Sequence, residues 1–207
     1  MTKPVRSVRA TLLAMAAILP AACAPIATTM VDPRADRSAI GMGLDSRDFD
    51  GAAAKVVRDM LQSGAVTKPA GGRYVLAISR VTNDTMQRID TDQLVKLIRV
   101  ELLKSGKVVT TTAISDGAAE DPMSMRVRQL RASGEFNQAN VARTGQMVAP
   151  EVSLSGKLLQ TNNRLGDGSQ RVDYDFQLTL TDLRTGLGLW EGSERVIKRG
   201  PNDTVAW

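Results

Sequence analysis

Cys23 is the only cysteine in the chain and the residue best placed for covalent chemistry. It follows a short apolar segment, Ala10 to Leu19, which is itself preceded by Lys3, Arg6 and Arg9. A basic start, an apolar run and small residues before the cysteine are typical of a secretory signal peptide, and the run is too short to span a bilayer as a helix. We therefore expect the segment that carries Cys23 to leave the cytoplasm.

Two processing routes are open at this site. In the first, residues 1–22 are removed and Cys23 is acylated, which would make the chain a bacterial lipoprotein. In the second, cleavage follows Ala24 through the small-residue triplet Ala22-Cys23-Ala24 and releases an unmodified secreted chain. Pro20 stands where lipoprotein signals usually carry leucine. The position of the cysteine favours lipid attachment, and Ala24 is compatible with sorting to the outer membrane.

The chain contains no histidine, which excludes Ser-His-Asp and Cys-His catalysis and imidazole ligands for zinc or iron. The remaining candidates for acid–base chemistry are Asp173 and Asp175, which share one face of a predicted strand. Beside Arg171, two such carboxylates are more often surface ion pairs than catalytic groups. We therefore predict no enzyme activity, no cofactor and no metal.

The net charge does not indicate a nucleic-acid partner. Residues 1–22 hold three of the 27 basic residues and none of the 22 acidic ones, so the rest of the chain carries 24 basic against 22 acidic residues. This excess is too small for a clustered basic footprint. A single cysteine also allows no internal disulfide, so stability must come from the packing of one domain.

The elements that would position these residues begin after a tether. Residues 23–44 are interrupted by Pro and Gly and predict a flexible segment. A helix is expected from Asp48, as its cap, to Ser63, and a short apolar run from Tyr74 to Val81 predicts a buried strand. A capping pattern at Asp90 predicts a helix through Lys104, followed by a second strand over 107–112.

The second half of the chain is predicted to contain further helices followed by three strands. A helix is expected near Pro122, and a further one between Phe136 and Met147. Strict alternation then predicts strands over 152–158 and 171–180, and a last strand through Trp190 to Val196. The order predicts an α+β fold with a single mixed or antiparallel sheet of four to five strands and helices packed on it.

The domain organisation follows from this order. We predict a signal peptide over 1–22, a lipid-anchored flexible tether over 23–44, one globular domain over 45–200 and a C-terminal tail over 201–207. Small α+β domains of this architecture, like the N-terminal domain of TolB, occur in several envelope proteins.

The stretch from Val75 to Asp90 resembles a signature of the LpoB family of lipoprotein activators of penicillin-binding proteins. In that family a strand ends in a Val-Asn-Asn-Arg-Thr-like loop that leads into a helix. Val81, Asn83 and Thr85 match this loop, whereas Asp84 replaces a basic residue. Other segments are similar in order and spacing: Phe49, Gly106-Lys107, Met147 to Gly156 and Thr185 to Trp190.

The resemblance implies a protein that acts by binding. Members of the family are anchored by lipid in the outer membrane, dock on a regulatory domain of a bifunctional penicillin-binding protein and stimulate peptidoglycan synthesis. The tether here is shorter than is typical of the family. We expect the loop from Thr82 to Ile89 to be the partner surface, with Asn83, Asp84, Thr85 and Arg88 as the binding residues.

Alternatives remain for the loop and for the protein. The polar side chains of the loop could simply satisfy local backbone donors. The domain could instead have a structural or secretion role, as in TolB-like or curli-secretion-type envelope proteins. The basic residues Arg126, Arg128 and Arg131 are expected to form a solvated helix face, and Trp190 is expected to cover the sheet.

Overall fold

The computed structural model describes residues 28–32, 35, 41–114 and 121–204. Cys23, the predicted signal peptide and most of the predicted tether lie outside the described residues, so their predictions stay open. All helices and strands reported below belong to the unit from residue 38 to residue 207. No helix in the described part of the chain is both long and apolar enough to cross a membrane.

The domain consists of five strands and three helices. The helices are α1 (Ser46–Gln62), α2 (Thr91–Lys104) and α3 (Met123–Gln129), and a short 3₁₀ turn over Leu130–Ala132 follows α3. The strands are β1 (Tyr74–Asp84), β2 (Val108–Thr110), β3 (Val152–Arg164), β4 (Ser169–Asp182) and β5 (Gly188–Pro201).

The strands form one mixed sheet in the order β2-β1-β3-β4-β5. β1 is parallel to both β2 and β3, whereas β3, β4 and β5 form an antiparallel meander. Parallel pairs need long crossover connections, and α2 supplies the first of these. The α+β fold with a single mixed sheet is confirmed.

The core lies between one face of the sheet and the helices α1 and α2. Alternate residues of β3 and β4 point into it, because successive side chains of a strand lie on opposite faces. These side chains are almost fully buried: Val152, Leu154, Leu158, Val172, Tyr174, Phe176, Leu178 and Leu180. The apolar stripe of α1 covers them, and the ring of Phe49 meets that of Phe176 edge-on at 5.8 Å.

The start of α1 differs from the sequence prediction. Asp45, rather than Asp48, caps the helix, and its carboxylate accepts hydrogen bonds from the backbone N–H groups of Arg47 and Asp48. The Asp48 carboxylate accepts from the Asp45 N–H at 2.8 Å in return. Both acids fit the capping pattern, and the reciprocal capping box places the first turn three residues earlier.

The crossover from β2 to β3, residues 111–150, is the least packed part of the domain. None of its described residues is buried, and the helix predicted between Phe136 and Met147 is wrong. Asn137 accepts a hydrogen bond from the Ala139 N–H and starts a turn, and Gly145 has a φ of 81°. Asn and Gly favour turns for these reasons and interrupt a helix.

The packed domain extends beyond both predicted boundaries. Met42 and Leu44, expected in the tether, are 8% and 5% exposed. The Tyr174 hydroxyl donates to the carbonyl of Met42 at 3.0 Å, within the core. At the other end, Pro201 completes β5, and the Gln170 side chain donates to the Pro201 carbonyl at 2.9 Å. The segment after residue 200 is therefore not a free tail throughout; residues 205–207 lie outside the described part.

Candidate partner-binding surface

β1 is longer than its apolar run and carries the candidate residues to the edge of the core. The strand continues through Asp84, so Asn83 and Asp84 belong to a strand and not to a loop as predicted. A register shift between Ile78 and Val81 places two residues of β1 opposite one of β3. This bulge restores the inward orientation of Val81 and allows the polar end of the strand to stay paired with β3.

Asn83 and Thr85 hold the turn that follows β1. The Asn83 side-chain amide donates to the Gln87 carbonyl at 2.9 Å, and its oxygen accepts from the Thr85 N–H at 3.2 Å. The Thr85 hydroxyl oxygen lies 2.7 Å from the Asn83 oxygen and accepts from the Gln87 N–H at 3.2 Å. The polar atoms of both side chains therefore form hydrogen bonds within the turn, as expected if these side chains satisfy local backbone groups.

Two further residues fix this turn to the rest of the domain. The Gln87 side chain donates to the Leu44 carbonyl and accepts from the Leu44 N–H, both at 2.9 Å. The Met86 N–H donates to the Gln160 side chain of β3 at 3.0 Å. The turn is thus attached both to the chain that enters α1 and to the third strand.

Three side chains at the end of β1 and in the turn that follows it face solvent. Asp84 is exposed and pairs with Lys157 of β3 at 2.9 Å, and Arg88 is exposed with no ion pair or hydrogen bond in the described structure. Met86 is 72% exposed. We call Asp84, Met86, Arg88 and Lys157 the loop surface.

Sequence reasoning found Asp84 and Arg88 of this surface but missed Met86 and Lys157. An exposed methionine between polar residues gives no periodic signal. Lys157 joins through the β1–β3 register, where it lies opposite Thr82 and beside Asp84, and this pairing connects residues far apart in the chain. Met86 and Arg88 are of residue types that are enriched at protein interfaces, and methionine adapts its shape to a partner.

The other charged candidates are ion pairs on the sheet. Arg171 binds Asp173 through two hydrogen bonds of 2.6 Å and holds the pKa of that carboxyl below its usual value. Arg195 of β5 lies 3.4 Å from Asp175. The ion pair with Arg171 favours the ionised form of Asp173, which is therefore not set up as the protonated acid that glycoside hydrolysis requires.

An open groove of about 720 Å³ lies beside the starts of β1 and β3, between Tyr74, Pro150 and Leu183. Two carboxylates line the groove: Glu151 pairs with Lys68 at 2.6 Å and accepts from the Val75 N–H, and Asp182 accepts from the N–H groups of Arg184 and Thr185. The hydrogen bond from Lys68 lowers the pKa of Glu151, so this group stays ionised and is engaged in structure. In the described chain no group of three Asp, Glu, Cys or His residues is arranged to hold a metal.

A family model described as peptidoglycan-synthase activator LpoB matches residues 48–196, well over half of the chain. This match spans α1 to β5 and includes the loop surface. The chain belongs to the LpoB family. The search of curated proteins found no match to this chain.

Solved structures of LpoB are similar to this chain. The C-terminal domain of LpoB from Escherichia coli has 17% identity and a TM-score of 0.44, and the match covers 72% of this chain and 98% of that domain. The corresponding domain from Salmonella enterica has 17% identity, a TM-score of 0.42 and the same coverage. The lipoprotein GNA1162 from Neisseria meningitidis has 14% identity and a TM-score of 0.31, with 64% of this chain and 86% of that one covered.

Membership in the LpoB family gives the protein its class. Its relatives are regulators of peptidoglycan synthesis rather than enzymes, and envelope lipoproteins.

Proposed function

We propose that this protein is an outer-membrane lipoprotein, anchored through Cys23, that binds a bifunctional penicillin-binding protein and stimulates its synthesis of peptidoglycan. The family match over residues 48–196 carries this proposal. The tether over residues 23–41 would let the domain move relative to the membrane, and the domain would act from the periplasmic side.

We further propose that the loop surface contacts the regulatory domain of the synthase. Asn83 and Thr85 act there by holding the turn, while Asp84 and Arg88 offer charges to the partner. The turn is ordered before binding by its bonds to Leu44 and Gln160, so little conformational entropy is lost when the complex forms. Stimulation then requires that the domain bind the active state of the synthase more tightly than the inactive state.

The test uses the purified full chain and the purified synthase, with glycan polymerisation and binding measured in parallel. We expect stimulation by the unaltered protein, and Arg88→Ala to weaken binding roughly tenfold, as loss of an interface arginine often does. Arg58→Ala is the matched control, because Arg58 is an exposed arginine on α1, outside the loop surface.

Two outcomes would contradict different parts of the proposal. If the unaltered protein neither binds nor stimulates the synthase, the proposed function is wrong. If it stimulates but Arg88→Ala and Arg58→Ala behave alike, the partner is right and the loop surface is not the contact. Mass spectrometry of the protein from cells tests the anchor, since an unmodified Cys23 thiol would exclude it.

A further inference from the structure

The methionines of the packed domain differ greatly in their contact with water. Met42 and Met60 belong to the core cluster and are 8% and 0% exposed. Met123 and Met125 of α3 are about half exposed, whereas Met86 of the loop surface is 72% exposed. Among residues 41–114 and 121–204 of the described structure, Met86 is therefore the methionine most accessible to solvent.

A ring of three hydrogen bonds places a donor against the sulfur of Met86. The Met86 N–H donates to the side-chain oxygen of Gln160 at 3.0 Å, and the Gln160 side-chain amide donates to the Asn162 oxygen at 2.9 Å. The Asn162 amide then donates to Met86 Sδ at 3.4 Å. Because both amides use the oxygen in one bond and the nitrogen in the next, the ring fixes which atom of Asn162 faces the sulfur. A thioether is a weak acceptor, so this donor is poorly satisfied by the unmodified side chain.

We propose that Met86 is a modification site, at which a peroxide oxidises the thioether to the sulfoxide and thereby weakens the contact of the loop surface with its partner. A lone pair of the sulfur attacks one oxygen of the peroxide, an S–O bond forms and the O–O bond breaks. With hydrogen peroxide, the transferred oxygen gives its proton to the departing hydroxide, which leaves as water. The sulfur is oxidised and the peroxide is reduced. The inference rests on the proposed function, because it concerns the surface proposed to contact the synthase.

The surroundings of Met86 allow this step and give its product a hydrogen-bond partner. Asn162 engages one lone pair of the sulfur, and the exposure of the side chain leaves the other lone pair open to a peroxide from solvent. Rotation about the Cγ–Sδ bond then brings the new oxygen to the Asn162 amide. A sulfoxide oxygen is a much stronger acceptor than a thioether, so we expect the oxidised side chain to be held against β3.

The sulfoxide changes what the loop surface offers to a partner. Reduced Met86 is a flexible apolar side chain that adapts to the shape of a partner, and it lies between the exposed residues Asp84 and Arg88. Oxidised Met86 is polar, and burying it in an interface costs free energy unless the partner supplies a donor. The change is reversible, because methionine sulfoxide reductases restore the thioether with two thiols, which form a disulfide while the oxygen leaves as water.

The other exposed methionines lack this arrangement. Met123 and Met125 belong to the crossover, outside the loop surface, and no side-chain amide in the described structure donates to their sulfur atoms. Met30 is fully exposed but belongs to the predicted tether. Oxidation at these positions should therefore leave the loop surface unchanged, so they serve as internal controls.

The first experiment locates the modification without a partner. The purified full chain is treated with hydrogen peroxide, freed of it and digested for mass spectrometry. We expect sulfoxide to form at Met86 at least as fast as at Met123 and Met125, and at least about tenfold faster than at buried Met60. In NMR spectra the side-chain amide signal of Asn162 should shift when the unaltered chain is oxidised and stay in place when Met86→Leu is treated. Slower oxidation of Met86 than of Met123 and Met125, or an Asn162 signal that does not depend on Met86, would overturn the inference.

The second experiment measures binding to the purified synthase after the same treatment of the chain. Met86→Leu keeps an apolar side chain of similar volume but cannot form a sulfoxide, and Met123→Leu is the matched control outside the loop surface. Peroxide should weaken binding several-fold for the unaltered chain and for Met123→Leu, and should leave the binding of Met86→Leu unchanged. All three chains carry Cys23, so oxidation of a free thiol would affect them alike.

The outcomes separate this inference from the proposed function. If the untreated chain does not bind the synthase, the proposed function and its regulation are wrong, while the mass spectra and the Asn162 signal still decide whether Met86 is the modification site. If the untreated chain binds and peroxide weakens Met86→Leu as much as the unaltered chain, the proposed function stands and regulation through Met86 is wrong.

Discussion

The packed part of the domain and the crossover over residues 111–150 are stabilised by different interactions. In the packed part, the sheet buries one face under α1 and α2, and residues such as Leu158 and Tyr174 have no exposed surface. In the crossover no described residue is buried, and Met123, Met125 and Phe136 are about half exposed. The packed part is thus stabilised by apolar burial, whereas the crossover must be stabilised by other interactions.

Hydrogen bonds from side chains to the backbone hold the crossover. The Arg131 guanidinium donates to the Ala142 carbonyl at 2.7 Å, and the Gln138 amide donates to the Ser133 carbonyl at 2.6 Å. Each such exposed bond contributes only about 1 kcal/mol, because water competes for the same groups. Because the two regions are stabilised differently, mutations of similar size should lower the free energy of unfolding by very different amounts in the two regions.

The largest effect is expected from emptying the core. Leu154 is 1% exposed at the centre of β3, and Leu154→Ala should lower the free energy of unfolding by about 2–5 kcal/mol through lost burial and the cavity left behind. Phe136→Ala removes a larger side chain from the crossover, yet should cost less than about 0.5 kcal/mol. Urea denaturation measures both. Equal losses would show that the crossover is packed after all.

Two glycine-to-alanine variants, one in each region, test the same difference by adding a methyl group. A Cβ at Gly156 would lie 2.8 Å from Leu178 Cδ2 and 2.9 Å from the Gln177 backbone oxygen, so Gly156→Ala should cost about 1–3 kcal/mol. A Cβ at Gly134 of the crossover would meet nothing within 4 Å. Gly134→Ala should be neutral or stabilise by up to about 1 kcal/mol, by restricting the unfolded chain. Thermal unfolding measures both variants. The prediction is wrong if Gly134→Ala unfolds at a lower temperature than Gly156→Ala.

The turn after β1 is an intermediate case, ordered by hydrogen bonds but adjoining the core. Asn83→Ala removes the bonds to Thr85 and to the Gln87 carbonyl and should cost about 1 kcal/mol. Hydrogen exchange at the Thr85 amide should become faster. Arg88→Ala, which breaks no bond in the described structure, should leave that exchange rate unchanged. If Asn83→Ala leaves it unchanged as well, the turn does not depend on this side chain.

The smallest effect is expected from the pH dependence of the α1 cap. Hydrogen bonds from the Arg47 side chain hold the pKa of Asp45 below its usual value. A depressed pKa in the folded state means that the ionised carboxylate stabilises the fold above the unfolded-state pKa of about 3.9, and that this stability is lost as pH falls through the folded value.

The matched variant for the cap is Asp45→Asn, which keeps a good capping residue but cannot titrate. Between about pH 5 and about pH 2, the melting temperature of the unaltered chain should fall slightly more than that of the variant. Asp45 is partly exposed, so water and salt keep the difference small. Parallel curves for the two proteins would show that Asp45 makes no net contribution.

Sequence alone predicts the packed part well because burial leaves a periodic trace. The alternation of Val172, Tyr174 and Phe176 gives the right face of β4, and the stripe of α1 gives its buried side. The helix predicted over part of the crossover has no such support. There, turn-forming side chains and Gly145 decide the local structure without a core to impose a period.

Only part of the candidate site can be predicted from the sequence, for a related reason. The strand signal at β1 ends where its apolar residues end, although pairing with β3 carries the strand on to Asp84. The partners Lys157 and Gln160 reach the turn through strand register, which links residues more than 70 positions apart. Only the folded sheet brings them together.

Gln87 gives the domain a mechanical link between its entrance and its candidate contact. Its side chain holds the backbone of Leu44 by two hydrogen bonds, a short distance along the chain from the point where the tether would attach. A pull on the proposed tether would be resisted first at Met42 and Gly43, whose carbonyls accept hydrogen bonds from Tyr174 and Lys198, and only then at Leu44. The turn beside Arg88, and the shape it would offer to a partner, would therefore be protected from tension on the chain until those bonds had broken.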